Sequence, residues 1–548
     1  MKRRLVSIAL CMLLLMSLFV TACGNAAPAT DDTKPAAEDT KKEEENVDPV
    51  APEGDLTPAE QAIADRKAKA ASTGEYQKVV MAWFAWAGKP AGIERVQEAM
   101  NVQLREKLGL EVEMICLDSA AYQQDVRLML TGDERIDLFW GNGVGGYMPC
   151  VNAGYCYDLL EDDLIQTYGP DILSVLGEDY INACKVNGKL YGIPSNRDFA
   201  IGPGCYCIGK EYLDAIGFDY ESMKTSPDQE IIRTDISVIS DIFAQLHEKY
   251  PDKHVTTAGI NLFSQGSPID NVAGDFFGVL LDGANSLQLE DMFTSDVFME
   301  TCKQVYEWNQ LGYISKDALT DNTSPSAKVK SGQWLSMMSQ GKPGYKTQIS
   351  SECGREMICF QIYDDFLKSA GVTGVIWCFN QACEDPIATM QFYNLLMTDA
   401  DLENLLIWGE EGTDYVLTED GHRAFPEGID AQNSEYNHTM NWGMPNQYVA
   451  YVQVGDPLDL GAKTAEFNQT AAKSKALGFV WDNKEYSAQY TALANIYDEY
   501  LPQLTLGFLD PEVGIPEFEA RLQEAGLDEY IAAKQAALDA WAAENGIQ

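Results

Sequence analysis

The sequence predicts an α/β fold that begins as a doubly wound sheet, and three observations predict it. Residues 79–86 are a continuous apolar run, typical of a strand buried on both faces, and residues 110–117 and 136–140 also read as strands. Apolar residues recur at helical spacing between them, over residues 93–108 and 122–130. The order β-α-β-α-β within about 65 residues is what parallel strands with crossover helices require.

Local signals explain where these elements end. The Gly-Lys-Pro sequence at 88–90 breaks the first strand, and Gly109 closes the first helix. Residues 110–117 alternate between apolar and polar side chains, as a half-buried strand does. The Thr-Gly-Asp sequence at 131–133 is a turn before the third strand.

Further elements follow along the chain. A buried apolar strand is predicted over residues 372–379, and a short strand follows the turn in residues 187–194. Helices are predicted over residues 59–71 (with Thr57 as N-cap and Pro58 at the first position), 210–216, 237–250, 387–397, 402–406 and 527–544.

Composition and charge limit the classes of function. The chain has 548 residues, 46% of them apolar, which indicates a globular protein of two to four domains. Asp and Glu number 84 against 39 Lys and Arg, giving a net charge of −45. Nucleic-acid binders carry basic patches that neutralise phosphates, so we expect no nucleic-acid partner. The same charge disfavours electrostatic docking on anionic lipid.

The N-terminus has the pattern of an export signal. Lys2, Arg3 and Arg4 precede the apolar residues 5–20, which span roughly 24 Å as a helix and are too short for a bilayer core of about 30 Å. The Val-Thr-Ala-Cys sequence ending at Cys23 resembles the bacterial lipobox, in which the cysteine is lipidated. We therefore predict a signal peptide over residues 1–22 and a lipid anchor at Cys23, with an ordinary signal peptide as the alternative.

An acidic linker is predicted over residues 23–75. It is rich in Ala, Pro, Asp, Glu, Lys and Thr and has no aromatic residue before the folded body starts at residue 76. Such a segment cannot bury enough apolar surface to offset its chain entropy, so we expect it to be largely disordered.

The cysteines do not form a recognisable metal motif. Setting aside Cys11 and Cys23 leaves eleven of the 13 cysteines in the body, and no spacing among them matches paired C-x2-C knuckles. The chain has four His. We expect no metal site and no cofactor, with calcium left open, and mostly free buried thiols, with one or two disulfides left open.

A glycine-rich segment follows the third predicted strand. Residues 141–146 formally match G-x-G-x-x-G, but Pro149 and a loop come next where a dinucleotide site needs a helix. We interpret the segment as a loop lining a crevice.

Several blocks together resemble one family. They are the lipobox at Cys23, the sequence NGKLYGIP at 187–194, the sequence NLLIWGEEGTDY at 404–415 and the C-terminal sequence from AGLDEYIAAKQ to LDAW at 525–541. The chain resembles extracellular solute-binding proteins of family 1, the capture lipoproteins of ABC importers, and within them the long Gram-positive subgroup. The resemblance covers residues 1–23 and 76–548.

The resemblance implies a two-lobed periplasmic-binding-protein-like fold (type II), an α/β fold with doubly wound sheets joined by a hinge. We assign residues 76–195 and 355–400 to one lobe, and residues 196–354 and 401–548, including the C-terminal helices, to the other. It further implies a monomer without enzymatic activity, anchored on the extracytoplasmic face of the membrane, that delivers a carbohydrate to ABC permease subunits.

Candidate ligand-binding residues combine aromatic platforms with hydroxyl-binding groups, since sugars offer apolar C–H faces and hydroxyls. They are Trp86, Trp140, Asn142, Asn196, Arg197, Asp198, Trp377, Glu411, Trp442 and Asn446. Tyr415 and Gln447 lie in the same blocks. For each residue a structural role in the core or in a turn is the alternative.

Two rival functions remain open on the sequence. A surface-anchored glycoside hydrolase needs a pair of carboxylates. The chain has 84 acidic residues, so the sequence alone cannot show which two would form the pair. No G-x-S-x-G or H-E-x-x-H motif occurs. The other rival is a peptide- or uronate-binding protein of the same architecture, for which Arg197 would supply the positive charge.

Overall fold

The computed structural model describes residues 56–85, 88–132, 134–257, 262–431, 433–438 and 440–547. Leu56–Gln548 form one compact unit. The predicted signal peptide, Cys23, the linker up to residue 55 and Trp86 lie outside the described residues. None of the helices in the described ranges is long and apolar enough to cross a membrane.

The described residues form seventeen α-helices, of which only some were predicted. They are α1 (Pro58–Thr73), α2 (Ile93–Lys107), α3 (Ser119–Thr131), α4 (Tyr147–Asn152), α5 (Leu164–Tyr168), α6 (Pro170–Asn182), α7 (Lys210–Ile216), α8 (Ile236–Lys249), α9 (Asp296–Gln310), α10 (Pro325–Lys330), α11 (Tyr345–Cys353), α12 (Pro386–Leu396), α13 (Ala400–Trp408), α14 (Leu460–Thr470), α15 (Ser487–Thr505), α16 (Pro511–Glu524) and α17 (Leu527–Glu544).

The strands are shorter on average than the helices. They are β1 (Gln77–Ala85), β2 (Leu110–Asp118), β3 (Leu138–Trp140), β4 (Lys185–Val186), β5 (Lys189–Leu190), β6 (Ile193–Pro194), β7 (Gly202–Gly209), β8 (Ile231–Arg233), β9 (Ser336–Gly341), β10 (Met357–Gln361), β11 (Phe366–Leu367), β12 (Ile376–Phe379), β13 (Val416–Leu417), β14 (Arg423–Ala424) and β15 (Ala472–Lys473).

The first sheet has the order β2-β1-β3-β12-β6. Strand β1 runs parallel to β2 and β3, with Gln77 opposite Leu110 and Met81 opposite Leu138. Strand β12 returns antiparallel to β3 and β6. Helices α2, α3 and α12 contribute buried apolar side chains to the core around this sheet. The predicted β-α-β-α-β start is confirmed.

The second sheet has the order β8-β10-β7-β9 and is mixed. Strand β10 pairs parallel with β8 and antiparallel with β7, which in turn pairs antiparallel with β9. One of its faces packs on a separate core that includes Phe243, Trp308 and Phe518 from helices α8, α9 and α16. The two sheets therefore nucleate two distinct hydrophobic cores.

Chain segments that cross between the sheets pair with one another. Ile201, just before β7, exchanges two backbone hydrogen bonds with Phe366, of 3.0 and 2.8 Å. Strand β11, which contains Phe366, pairs parallel with β15, so Leu367 lies opposite Lys473. Three separate stretches of the chain thus meet at the crossing.

One expectation needs correction. The strand predicted over residues 372–379 begins at Ile376, because the chain turns through residues 369–374, which include Gly371 and Gly374. The short helix predicted within the linker is present as Pro58–Thr73, capped by Thr57, whose hydroxyl accepts from the Glu60 N–H.

Helix α1 is fastened to the body by one buried guanidinium. Arg66 donates through Nε to the Leu108 carbonyl at 3.2 Å and through Nη2 to Gln391 Oε1. Gln391 Nε2 in turn donates to the Ala59 carbonyl at 2.8 Å. Since unpaired buried polar groups are costly, this network makes helix α1 part of the folded body.

We expect Arg66→Ala to destabilise the body by about 1–3 kcal/mol, because Gln391 and the Leu108 carbonyl lose buried partners. Urea unfolding measures this loss, and hydrogen exchange reports whether the amides of helix α1 lose protection. Lys69→Ala, an exposed change on the same helix, serves as the control. Equal stability of the Arg66→Ala and Lys69→Ala variants would contradict the assignment.

Candidate functional site

A cavity of about 1000 Å³ lies beside the crossing segments. Asp198 lines it from the segment between β6 and β7, and residues 342–352 line it from the end of β9 and from helix α11. Most of the remaining wall comes from residues 407–464, between the end of α13 and α14. Its volume is at the upper end of the range of about 300–1,000 Å³ typical of ligand pockets.

Aromatic side chains form much of the wall. They are Trp408, Phe425, Trp442, Tyr448 and Tyr451. Trp408 is fixed by a hydrogen bond of 3.0 Å from its Nε1 to the Tyr451 carbonyl. Aromatic rings held at the wall of a cavity offer flat apolar faces.

A guanidinium stacks between two of these rings. The Arg423 Cζ atom lies 4.5 Å from the ring centre of Trp408 and 3.9 Å from that of Phe425. Strand β14 holds its backbone, since Arg423 N–H donates to the Val452 carbonyl at 2.7 Å. Such cation–π stacking fixes the orientation of the charge.

Arg423 has no ionic partner within the described ranges of the chain. Arg423 is 1% exposed, and its Nε atom has no hydrogen-bond acceptor among the described residues. Burial lowers the pKa of Arg423 to about 10, against a weaker opposing effect of Asp414. The group therefore stays charged at neutral pH, buried against the wall of the cavity.

The opposite wall carries a paired acid. Asp198 Oδ2 lies 3.3 Å from Lys342 Nζ and 3.8 Å from Arg197 Nη1. Burial opposes ionisation of Asp198, but Lys342 and Arg197 hold its pKa below the usual value. This ion pair links the crossing segment to the end of strand β9.

The predicted platforms Trp140 and Trp377 lie in the core. Both are at most 1% exposed, and their ring centres are 5.9 Å apart. Trp377 Nε1 donates to the Gly443 carbonyl at 2.9 Å. A Cβ atom on Gly443 would lie 2.0 Å from the Trp140 ring, so only glycine fits there. Both rings support the cavity wall from behind, and direct contact with a ligand stays a prediction.

The predicted amides also serve as supports in this conformation. Asn142 Oδ1 accepts from the Ile376 N–H at 2.7 Å, which secures the start of β12. Asn196 Nδ2 donates to Asn446 Oδ1 at 2.9 Å, and Asn446 Nδ2 donates to the Met397 carbonyl at 2.7 Å. These bonds join the crossing segment to the loop that carries Trp442.

Some of the remaining predicted residues line the cavity and others lie outside it. Asp198 and Trp442 line the cavity. The guanidinium of Arg197 lies 6.0 Å from the Trp442 ring centre. Glu411 is exposed and pairs through its backbone with Tyr415, outside the cavity lining. Trp86 lies outside the described residues.

Sequence reasoning missed six residues that line the cavity. They are Lys342, Trp408, Arg423, Phe425, Tyr448 and Tyr451. Trp408 lies within the block at 404–415 that carries the family resemblance, and this was the signal available for it. No sequence pattern distinguishes Arg423 from other arginines, because its role depends on the two rings that enclose it.

A buried carboxyl supports this wall from behind. Glu403 is 0% exposed, and its Oε1 accepts from the Asn446 N–H at 2.8 Å. Burial raises the pKa of Glu403 well above its usual value. The group therefore keeps its proton in the folded state at pH values where the unfolded chain loses it.

We expect Glu403→Gln to stabilise the protein at neutral pH. Because the folded pKa is raised, stability falls as pH rises above the unfolded pKa of about 4.3, and a neutral isostere removes this loss. The melting temperature should rise by about 1–3 °C at pH 7.5 and change little at pH 4. Differential scanning calorimetry across this range measures it, with the exposed Glu411→Gln as control. A larger gain at pH 4 than at pH 7.5 would refute the assignment.

The sequence of the chain is similar to those of known proteins. Residues 475–543 match the family model described as "Domain of unknown function (DUF3502)". The chain is 22% identical over 466 residues to a "Carbohydrate ABC transporter substrate-binding protein" of Streptococcus pneumoniae serotype 4 (strain ATCC BAA-334 / TIGR4), covering 84% of this chain and 90% of that protein.

Solved structures of solute-binding proteins share the fold of this chain. The crystal structure of the N-glycan transport solute binding protein NgtS from Streptococcus pneumoniae matches with a TM-score of 0.73 at 20% identity, covering 84% of this chain and 98% of that one. Streptococcus pneumoniae FusA, an ABC-transporter substrate binding protein in complex with kestose, matches with a TM-score of 0.54 at 13% identity, covering 86% and 100%. The predicted two-lobed α/β fold and the resemblance to extracellular solute-binding proteins are confirmed.

Proposed function

We propose that the chain is the substrate-binding lipoprotein of an ABC importer, and that it captures an oligosaccharide in the 1000 Å³ cavity. The observation that carries this proposal is the wall of that cavity, where aromatic rings alternate with a charged guanidinium free of any carboxylate partner among the described residues. Sugar rings stack on aromatic faces, and their hydroxyls accept from such a donor.

Similar proteins support the choice of a carbohydrate. NgtS from Streptococcus pneumoniae has been crystallised in complex with Man5GlcNAc, and that structure matches this chain with a TM-score of 0.64 at 21% identity. The curated relative is named as a carbohydrate ABC transporter protein. These names describe other proteins, and the same class of ligand is what we infer for this cavity.

Capture requires reversible burial of the ligand without chemical change. The paired crossing segments between the two sheets are the place where a hinge between the lobes would bend. Closing the lobes over the cavity would bury the sugar, and opening them at permease subunits would release it. We infer a monomer that binds and does not hydrolyse its ligand.

A uronate is the second candidate ligand, because Arg423 offers a positive charge to the cavity. Lys342, another cation of the wall, is already 3.3 Å from Asp198. A carboxylate on the sugar would pair with the Arg423 guanidinium with stronger hydrogen bonds than a hydroxyl does.

We expect Trp408→Ala to weaken oligosaccharide binding about tenfold or more, because the sugar loses a stacking face and Arg423 loses one of its two rings. Isothermal titration with oligomannose N-glycans, kestose and oligouronates measures the affinities. Trp541→Ala is the control, since Trp541 packs on Phe479 and does not line this cavity.

Three outcomes separate the alternatives. Preference for oligouronates supports the second candidate, and its loss in Arg423→Gln ties that preference to the guanidinium. Turnover of the glycan would show a hydrolase and contradict capture. Equal affinities for the Trp408→Ala and Trp541→Ala variants would place the ligand elsewhere.

We further propose that Cys23 carries a lipid anchor on the extracytoplasmic face of the membrane. Two acyl chains on one residue suffice for stable anchoring. We expect Cys23→Ser to release the protein from the membrane fraction and to abolish labelling by a fatty-acid analogue. Cys11→Ser, a change within the predicted signal peptide, is the control. A Cys23→Ser variant that still takes up the label would refute the assignment.

A further inference from the structure

Three cysteines from two strands meet on one face of the second sheet. Successive side chains of a strand point to opposite faces, so Cys205 and Cys207 of β7 share a face. Strand β10 pairs antiparallel with β7, and the register places Cys359 directly opposite Cys207. The pleat and the register together create this sulfur cluster from positions more than 150 residues apart in sequence.

The distances suit a single ion. Cys207 Sγ lies 3.3 Å from Cys359 Sγ and 3.9 Å from Cys205 Sγ, and all three sulfurs lie within 4.8 Å of one another. Two thiolates that bind one ion at about 2.3 Å are separated by about 3.8–4.0 Å. Little rearrangement is therefore needed for all three to contact a common centre.

The cluster is buried among apolar and sulfur-containing side chains. All three residues are 0% exposed. Helix α11 covers this face, and Cys353 Sγ at its end lies 4.0 Å from Met337 Sδ. Met337 is the partner of Cys207 on the opposite side, in strand β9. Thiolate and thioether ligands in an apolar shell select thiophilic ions over hard ones.

The guanidinium of Arg233, which pairs with Asp365 at 2.7 Å, lies on the same side of the sheet. Arg233 lies opposite Gln361 and thus shares the face of Cys359. Metal binding would release protons from those thiols that are still protonated.

A second cavity lies beside the strands that carry the cluster. This cavity of about 330 Å³ is lined by Ile231, Arg233 and Gln361, among other residues. In the sheet, Ile231 is the partner of Cys359, and Gln361 is the partner of Cys205. Residues next to the cysteines in the sheet therefore line this cavity.

We propose that Cys205, Cys207 and Cys359 form a binding site for one thiophilic cation, Cu(I). Three sulfurs with no imidazole or carboxylate in the group, among the described residues, match the trigonal thiolate coordination that this ion accepts. Structural zinc takes four ligands, and the group holds three. The site is separate from the 1000 Å³ cavity, since none of the three cysteines lines that cavity.

The test is an anaerobic titration of the reduced, purified protein with Cu(I) in competition with a chromogenic chelator. We expect one high-affinity equivalent per chain, and X-ray absorption at the copper edge should report three sulfur neighbours. This second measurement uses the unmodified chain, so it does not depend on any variant folding. Nitrogen or oxygen neighbours would overturn the proposal.

Variants then locate the site. Cys359→Ala should weaken Cu(I) binding roughly 100-fold or more, since loss of a ligand costs at least as much as loss of its supporting contacts. Cys302→Ala is the matched control, because Cys302 is equally buried and stands alone in the core of helix α9. Thermal unfolding without metal checks that both variants fold.

Two further results would overturn the proposal. One is Cu(I) stoichiometry and affinity that are the same in the Cys359→Ala variant as in the unmodified chain. The other is no bound Cu(I) in the reduced protein, together with a Cys207–Cys359 disulfide after air oxidation, which would make the cluster a redox pair and not a metal site.

Discussion

The structure depends on the hydrogen bonding of chain segments that cross between two separately packed sheets. The backbone bonds between Ile201 and Phe366 and the pairing of β11 with β15 tie three distant stretches of sequence together. Each sheet has its own core, so neither core fixes the other sheet in place. The crossing therefore determines where the two walls of the large cavity stand, and Asp198, which is part of it, sets the distance to the end of β9 through Lys342.

Local signals predicted most of the first sheet and several helices, because those elements depend on nearby residues. Helix α7 ends at Gly217, which has a φ of 70°, and helix α17 has the predicted bounds. Sequence periodicity could not predict the second sheet, whose strands are short, mixed in direction and buried along their whole length in β7. The packing of helix α1 on the body could not be predicted from local signals either, because it depends on Gln391, more than 300 residues away in sequence.

The candidate site was harder to predict than the fold, because it depends on contacts between residues that are distant in sequence. The expectation that tryptophans near strand ends face a crevice treats each strand alone. In the structure, β12 lies beside β3, and Trp377 and Trp140 become register partners that stack in the core. The cavity rings come from the last residue of α13 and from the long connection between α13 and α14, where Trp442 was predicted and Trp408 and Phe425 were not. The sulfur cluster was missed for the same reason, because spacing rules for metal ligands assume neighbours in sequence and not partners across a sheet.

Arg423 shows how a chain of net charge −45 keeps one arginine out of ion pairs with the described carboxylates. On an acidic surface most arginines are taken by carboxylates, as Arg95 is by Asp414 at 2.9 Å. Arg423 is buried between Trp408 and Phe425, and burial excludes competing side chains while the π faces offset part of the lost hydration. Since its pKa is still about 10, the charge persists at neutral pH. In the proposed function, oxygen atoms of the ligand accept hydrogen bonds from this guanidinium and so replace solvation that folding removed.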